Sequence, residues 1–351
     1  MMQTRFDAVM AGPGSILMLL LLVAISTARA DDGALFASNQ TLQVEIQAPW
    51  RKLVRNKDDT RWPATFLLTQ ATGDVLSVSG TVERRGISRQ RVCKFPPIRL
   101  RFDKESVKGT MFEDVGALKM VTHCAAGGRW KDYYVLEMLA YQIYNLVTDY
   151  SFRVRPMTVR YRDIDRDKEP DQEFAFVIED IDQLADRFDL AELDMESTVP
   201  SRLDDDVSSR MAVFQFMIGN LDWSSITGPD GCCHNAKLIG HETGEPPFIP
   251  IPYDFDSSGI VDAHYAVPPA NLGVRSVTDR WFRGYCRHNR TLPEARQAFL
   301  DQQTEIMALI KNESRLSQRG MKKTIDYLEE FYEVVSNDDE WVDDIVSRCR
   351  K

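Results

Sequence analysis

The apolar residues of this chain change their spacing partway along it, and that change limits the folds open to it. Over residues 31–90 apolar and polar residues alternate in short stretches. Leu42, Val44 and Ile46 set the pattern, and 64–68 and 75–82 continue it. Ile98, Leu100 and Phe102 alternate again after Pro96 and Pro97, and 118–122 forms another short apolar stretch. A period of two places one side of each segment on a core, so this half reads as an antiparallel β region. The period then lengthens. Tyr133, Leu136, Leu139, Ala140, Ile143 and Leu146 recur at helical spacing over 132–148, with Asp132 as N-cap. Residues 154–161 and 174–178 return to strand character. The charged run 162–172 between them marks a hairpin with a solvated loop.

Beyond Glu179 the chain reads as mainly helical. A short helix is expected over 182–188. Asp204, Asp205 and Asp206 open the next one at its electropositive end. Val207, Met211, Phe214, Ile218 and Leu221 then step by four, three, four and three, which gives a buried stripe. Residues 223–258 are irregular, and 293–312 and 317–336 are two closing amphipathic helices. The order implies an α+β fold: a β-rich half with one main helix, followed by a helical half.

The first 30 residues fit a cleaved secretory signal. Arg5 lies in the charged n-region, Ile16 to Ile25 is almost wholly apolar, and Ala28-Arg29-Ala30 supplies a small-x-small cleavage site. Cleavage after Ala30 takes 30 residues from 351 and leaves 321. An uncleaved anchor is the alternative. No later segment is apolar enough to span a membrane, and the expected location is secreted or periplasmic. The chain carries a net charge of −10. An acidic surface repels a phosphate backbone, which argues against nucleic acid as a partner, and it suits a cation. Export makes Cys93, Cys124, Cys232, Cys233, Cys286 and Cys349 candidates for disulfides. Cys93 and Cys124 both sit in strand-like segments and could face each other, but the full pairing stays open among 15 possibilities.

Four residues carry the strongest chemistry. Asp222 follows the apolar helical stripe, just past Gly219 and Asn220, where the helix dipole disfavours a carboxylate. Asp254 and Asp256 end the apolar stretch 248–253. If the strand continues, positions i and i+2 share a face. Two carboxylates so placed repel each other unless a cation lies between them or one stays protonated. Asn235, next to His234, offers a neutral oxygen to a hard cation. Each of these is also what an ordinary Asx-turn or acidic loop contains. In the first half, residues 84–91 form a basic segment around Gly86. Arg99, Arg101 and Lys119 lie in strands, and Lys119 precedes the helix carrying Glu137.

Taken in order, these segments resemble the CotH-like atypical kinase family, extracytoplasmic relatives of the protein kinases. The points of likeness are Arg85-Gly86, Phe95 to Phe102, Leu118-Lys119, Phe174 to Asp180, Phe216 to Asp222, His234-Asn235 and Tyr253 to Asp256. They span residues 80–265. The resemblance implies a bilobed protein-kinase-like fold, with a β-rich N-lobe over 31–180 and a helical C-lobe over 181–351. It implies ATP and Mg²⁺, with Mn²⁺ as a substitute, in a cleft between them. Asp222 would be the catalytic base, and Asn235, Asp254 and Asp256 would be metal ligands. Arg85, Arg99, Lys119 and Glu137 would lie on the nucleotide side, and Glu179 at the hinge.

Departures from the pattern are plain. Ordinary kinases place the metal-binding Asn five residues after the catalytic Asp, whereas here 13 separate Asp222 from Asn235. Asp256 stands where the second motif has Gly, and there is no ordinary glycine-rich loop. The implied activity is an exported, Mg²⁺-dependent phosphotransferase acting on a hydroxyl of a protein or surface glycan. Two other readings compete with it. One is a catalytically inactive surface-binding or coat-assembly protein, and the other a secreted domain whose acidic loops hold Ca²⁺.

Overall fold

In this computed structural model, the described residues are Met1 and 35–351, except 71, 72, 87, 126 and 230. The expected signal segment lies outside them. Residues 35–351 belong to one compact unit. Its first half runs β1 (Leu42–Ala48), α1 (Trp50–Arg55), β2 (Trp62–Thr69), β3 (Val75–Arg84), α2 (Ser88–Val92), β4 (Ile98–Phe102) and β5 (Ala117–Val121). Then come α3 (Gly128–Val147), β6 (Val154–Asp163) and β7 (Asp171–Ile178). The second half runs α4 (Ile181–Asp186), β8 (Ala191–Glu192), α5 (Asp205–Met217), β9 (Ala236–Gly240) and β10 (Ile249–Pro252). The helices α6 (Leu292–Asp301), α7 (Gln303–Lys311), α8 (Gln318–Ser336) and α9 (Asp338–Trp341) complete it.

Strands β1 to β7 close into a mixed barrel in the order β1-β2-β3-β4-β5-β7-β6. Closure is made by β1 lying parallel to β6, from Leu42 opposite Met157 to Ala48 opposite Asp163. This overturns the bilobed kinase-like fold expected from the resemblance, and with it the antiparallel N-lobe built on one main helix. The first half holds α1 and α2 as well as α3, and its sheet has no free edge. The physical reason is that a period of two fixes which face of a strand points inward but not which strand lies beside it. Closing the sheet satisfies the backbone groups that two edges would leave unpaired.

Val44, Ile46, Phe66, Leu68, Val78, Val82, Leu100, Leu118 and Met120 fill the barrel interior. On β7, Ala175 and Val177 join this interior, whereas Phe174, Phe176 and Ile178 join a second core outside it. That is why 174–178 is one continuous apolar run rather than an alternating one: both faces are covered. The second core is built on α3, whose residues are buried on nearly every side, together with α5, α6, α7 and α8. Helix α3 begins at Gly128, earlier than the expected Asp132. Asp132 instead accepts hydrogen bonds from the backbone N–H and hydroxyl of Ser317 at the start of α8. The single expected helix over 293–312 is two, α6 and α7.

Disulfides join Cys93 to Cys124, Cys232 to Cys233 and Cys286 to Cys349. Three such bonds fit an oxidising, extracellular setting. No helix among the described residues is long and apolar enough to cross a membrane.

Candidate functional site

The site begins at the end of α5. Asp204 caps the helix by accepting from the Val207 N–H at 2.9 Å. At the other end Gly219 takes a left-handed conformation (φ 61°), and a Cβ there would stand 2.0 Å from the Tyr327 hydroxyl oxygen. Only glycine serves at this helix stop. Asn220 then folds the chain over, its Oδ1 accepting from the Asp222 N–H at 3.0 Å. The next turn is tied to the same helix end, since Gly259 and Ile260 donate to the carbonyls of Gly219 and Ile218.

Three segments are thereby laid side by side. Ser224 and His234 exchange backbone hydrogen bonds at 2.8 and 3.0 Å, and the Tyr253 N–H donates to the Asn235 carbonyl at 3.1 Å. Asn235 and Asp254 both adopt left-handed backbone (φ 48° and 62°), which Asn and Asp accept more readily than other non-glycine residues. Strand β10 ends at Pro252, so strand alternation does not carry Asp254 and Asp256 onto one face as the sequence suggested.

Asp222 is half-exposed. Its Oδ1 lies 2.7 Å from His234 Nε2, and its Oδ2 accepts from Asn235 Nδ2 at 3.1 Å. The same Nδ2 donates to the Asp222 carbonyl at 2.7 Å. With its amide nitrogen committed twice to Asp222, Asn235 keeps Oδ1 as an acceptor. The Asp254 N–H donates to the Tyr141 hydroxyl of α3 at 3.0 Å. The Asp254 carboxylate is ringed by protein yet reachable by solvent. Those low-dielectric surroundings and the neighbouring Asp256 push its pKa up, with a further push from Asp222, while Arg89 and Arg85 oppose them. That Asp222 acts on Asp254 in this way places the two acids in one electrostatic neighbourhood.

Arg89, on α2, reaches across from the barrel. Its Nε donates to Asp256 Oδ2 at 2.8 Å, and its Nη2 bonds the buried Glu137 of α3. Burial raises Asp256, but the Arg89 charge and hydrogen bonds from Arg89, Ser257 and Tyr265 outweigh it and hold the group below the usual carboxylate range. Glu137 is pushed up to about 7 by burial, with Asp256 and Asp254 adding to it against Arg89. Arg85 sits beside Asp254 and Glu137, its own pKa lowered chiefly by burial, and its Nε is buried without a partner.

The residues singled out from the sequence therefore divide. Asp222, Asn235, Asp254, Asp256, Glu137 and Arg85 come together. Lys119 stands beside them, its Nζ 5.3 Å from the centre of the Tyr253 ring. Burial and the nearby Arg85 lower its pKa. It does not pair with Glu137, whose partner is Arg89. Arg99 pairs with Glu83 at 3.3 Å, alongside Arg61 and Arg101. Glu179 is buried and committed to Arg153 at 2.7 Å and Arg187 at 3.2 Å. Arg89, Tyr141 and Tyr265 were missed. Arg89 lay within the basic segment 84–91, but no local spacing distinguishes it from its neighbours.

The oxygens of Asp222, Asn235 and Asp254 are a donor set suited to a hard cation. Asp254 is raised first by its protein surroundings and then by Asp256. Asp256 is already engaged by Arg89. Among the described residues no group of three or more His, Cys, Asp or Glu side chains is arranged to hold a metal ion, so any such site must use the Asn235 amide. No protein-family model and no curated protein matches the chain.

Proposed function

We propose that the chain is an exported, divalent-cation-dependent phosphotransferase that moves the γ-phosphate of ATP to a hydroxyl of a protein or surface polymer. The observation that carries this reading is the meeting of Asp222, Asn235 and Asp254, contributed by three separate segments, with Arg85 and Lys119 on the barrel side. Asp254 and the Asn235 Oδ1 would hold Mg²⁺ or Mn²⁺, which when bound supplies charge neutralisation for the phosphates.

The protein's own groups then have definite tasks. Asp222, oriented by Asn220 and Asn235, takes the proton of the attacking hydroxyl as the new O–P bond forms. The bond between the γ-phosphorus and the bridging oxygen breaks, and ADP leaves with the electron pair. Exposed His234, 2.7 Å from Asp222, passes the proton to solvent. Arg85 and Lys119 attract the polyphosphate chain.

A second reading, a non-catalytic surface-binding or coat-assembly protein, draws on one observation. The Arg89 guanidinium already bonds both Glu137 and Asp256, so part of the cluster is engaged without a ligand.

Incubation with γ-labelled ATP and Mg²⁺ or Mn²⁺ separates the two. Transfer of label to the wild type but not to Asp254→Ala is expected. Equal labelling of both would remove the phosphotransferase reading, and labelling of neither favours the second. Label arriving from α-labelled ATP would show nucleotidyl transfer instead.

A further inference from the structure

Arg89 holds two separate acids with one edge of its guanidinium. The Nε–Nη2 edge presents two parallel N–H donors, a fork that matches the two oxygens of a single carboxylate. Here the fork is shared. Nε donates to Asp256 Oδ2 at 2.8 Å, and Nη2 bonds Glu137 Oε2. The two acids come from different elements, Glu137 from α3 and Asp256 from the turn after β10. Two oxygens gripped by one fork lie close together, as the ligands of a single small ion do.

Little water reaches this contact. The Glu137 side chain is buried, and those of Asp256 and Arg89 are only 11% and 13% exposed, so solvent does not screen the two negative charges from each other. Further groups are aimed at the same acid. The Tyr265 hydroxyl donates to Asp256 Oδ2 at 3.2 Å, and the Ser257 hydroxyl to Oδ1 at 3.2 Å. Without Arg89, two carboxylate oxygens and the Tyr265 hydroxyl would stand around one point with no cation between them. Asp254, the acid that takes part in the cation site described above, is close enough for Asp256 to push its pKa up.

Phosphoryl-transfer centres commonly hold two divalent ions on one cluster of carboxylates. We propose that Arg89 is a built-in counter-cation: its guanidinium fills the position on Glu137 and Asp256 that a second divalent ion would take, so the chain binds one such ion and not two. This rests on the cation site at Asp254 and Asn235 and adds the residue that sets the number of ions. Arg89 acts through the two carboxylates and not on the reacting atoms, and its charge stays in place at any metal concentration.

Mn²⁺ titration of the full folded chain, followed by electron paramagnetic resonance, counts the bound ions. The proteins compared are the wild type, Arg89→Met, Arg91→Met and the double variant Arg89→Met, Glu137→Gln. Methionine keeps most of the volume of the arginine stem and removes the charge. Arg91 is exposed on the same helix and serves as the control. One ion is expected in the wild type and in Arg91→Met, two in Arg89→Met, and one again in the double variant, which lacks an acid of the second position. Saturating Mn²⁺ should also raise the unfolding temperature of Arg89→Met by more than that of the wild type, because the second ion restores the lost charge.

One ion in the wild type and still one in Arg89→Met would overturn the counter-cation and leave the Asp254–Asn235 site standing. No ion in the wild type would remove that site as well. Two ions in the wild type, or two in the double variant, would place the second ion elsewhere and overturn the proposal. An Arg89→Met chain that stays unfolded at saturating Mn²⁺ would overturn it too, since the ion would not be replacing the guanidinium.

Discussion

Two ionic clusters in this molecule hold excess charge of opposite sign. Around Glu179 one carboxylate meets two guanidiniums, from Arg153 and Arg187, and also accepts the Arg153 backbone N–H at 3.0 Å. Around Arg89 three carboxylates, Glu137, Asp254 and Asp256, stand with two guanidiniums, those of Arg89 and Arg85. The first cluster joins the end of β7 to the start of β6 and to the segment after α4, with both oxygens of its one carboxylate engaged. The second holds surplus negative charge in a recess that solvent can reach. A carboxylate enclosed by two guanidiniums fastens elements together. The excess carboxylate of the second cluster lies where the proposed cation would bind.

The largest effects should come from opening each cluster. Glu179→Gln should lower stability by about 3–5 kcal/mol in guanidinium unfolding, because two buried guanidiniums lose their counter-charge. Arg89→Ala should lower it by a similar amount, with one difference that sharpens the contrast. Without Arg89 the carboxyl of Glu137 rises further and that of Asp256 loses what holds it down, so the folded state binds protons more readily than the unfolded one. Stability lost at pH 7 should therefore return in part as the pH falls toward 5, whereas Glu179→Gln should show no such return. Recovery in both variants would erase the distinction between the clusters.

Next in size is the link that holds the Arg89 segment to the barrel. Removing the Cys93–Cys124 disulfide, which closes a loop 31 residues long, by Cys93→Ser with Cys124→Ser should lower stability by about 3–4 kcal/mol. If stability falls by far less, the disulfide is not what fastens that segment.

A smaller effect tests the packing of His123 against Phe95. Burial holds the pKa of His123 down at about 4, against 6.5 for the free side chain. The folded state thus resists a proton that the unfolded state takes up below pH 6.5. Stability should fall by about 2 kcal/mol between pH 7 and pH 4.5 on this account. His123→Phe keeps a ring against Phe95 and should remove that share of the pH dependence; an unchanged pH profile would place His123 in water.

The smallest effect carries the opposite sign. Asp254→Asn removes a carboxylate that Asp256 repels. It should raise stability by a few tenths to about 1 kcal/mol, solvent at the open recess screening the rest. A loss instead would mean that Asp254 is a structural member like Glu179.

Much of this was legible from local pattern. The stripe through Val207, Met211 and Phe214, the three acids that open it and a stop at Gly219 or Asn220 were enough to mark α5 and set Asp222 just past its end. Asp254 and Asn235 were recognisable by chemical type. The barrel was not legible, because its closure pairs Leu42 with Met157, and no local period records a partner that far along the chain. Nor was Arg89 distinguishable among the arginines of 84–91, since its role comes from α2 facing Glu137 and Asp256 across the fold. The helix start at Gly128 escaped because Asp132 looked like a cap while serving Ser317 on a distant helix.

Titration with Mn²⁺, followed by electron paramagnetic resonance in the wild type, Asn235→Ala and Asp254→Asn, addresses the site most directly. One bound ion in the wild type is expected, with affinity at least about tenfold weaker in each variant. No bound ion in the wild type, or the same affinity in all three proteins, would contradict a cation gripped by Asp254 and Asn235 beside Asp222.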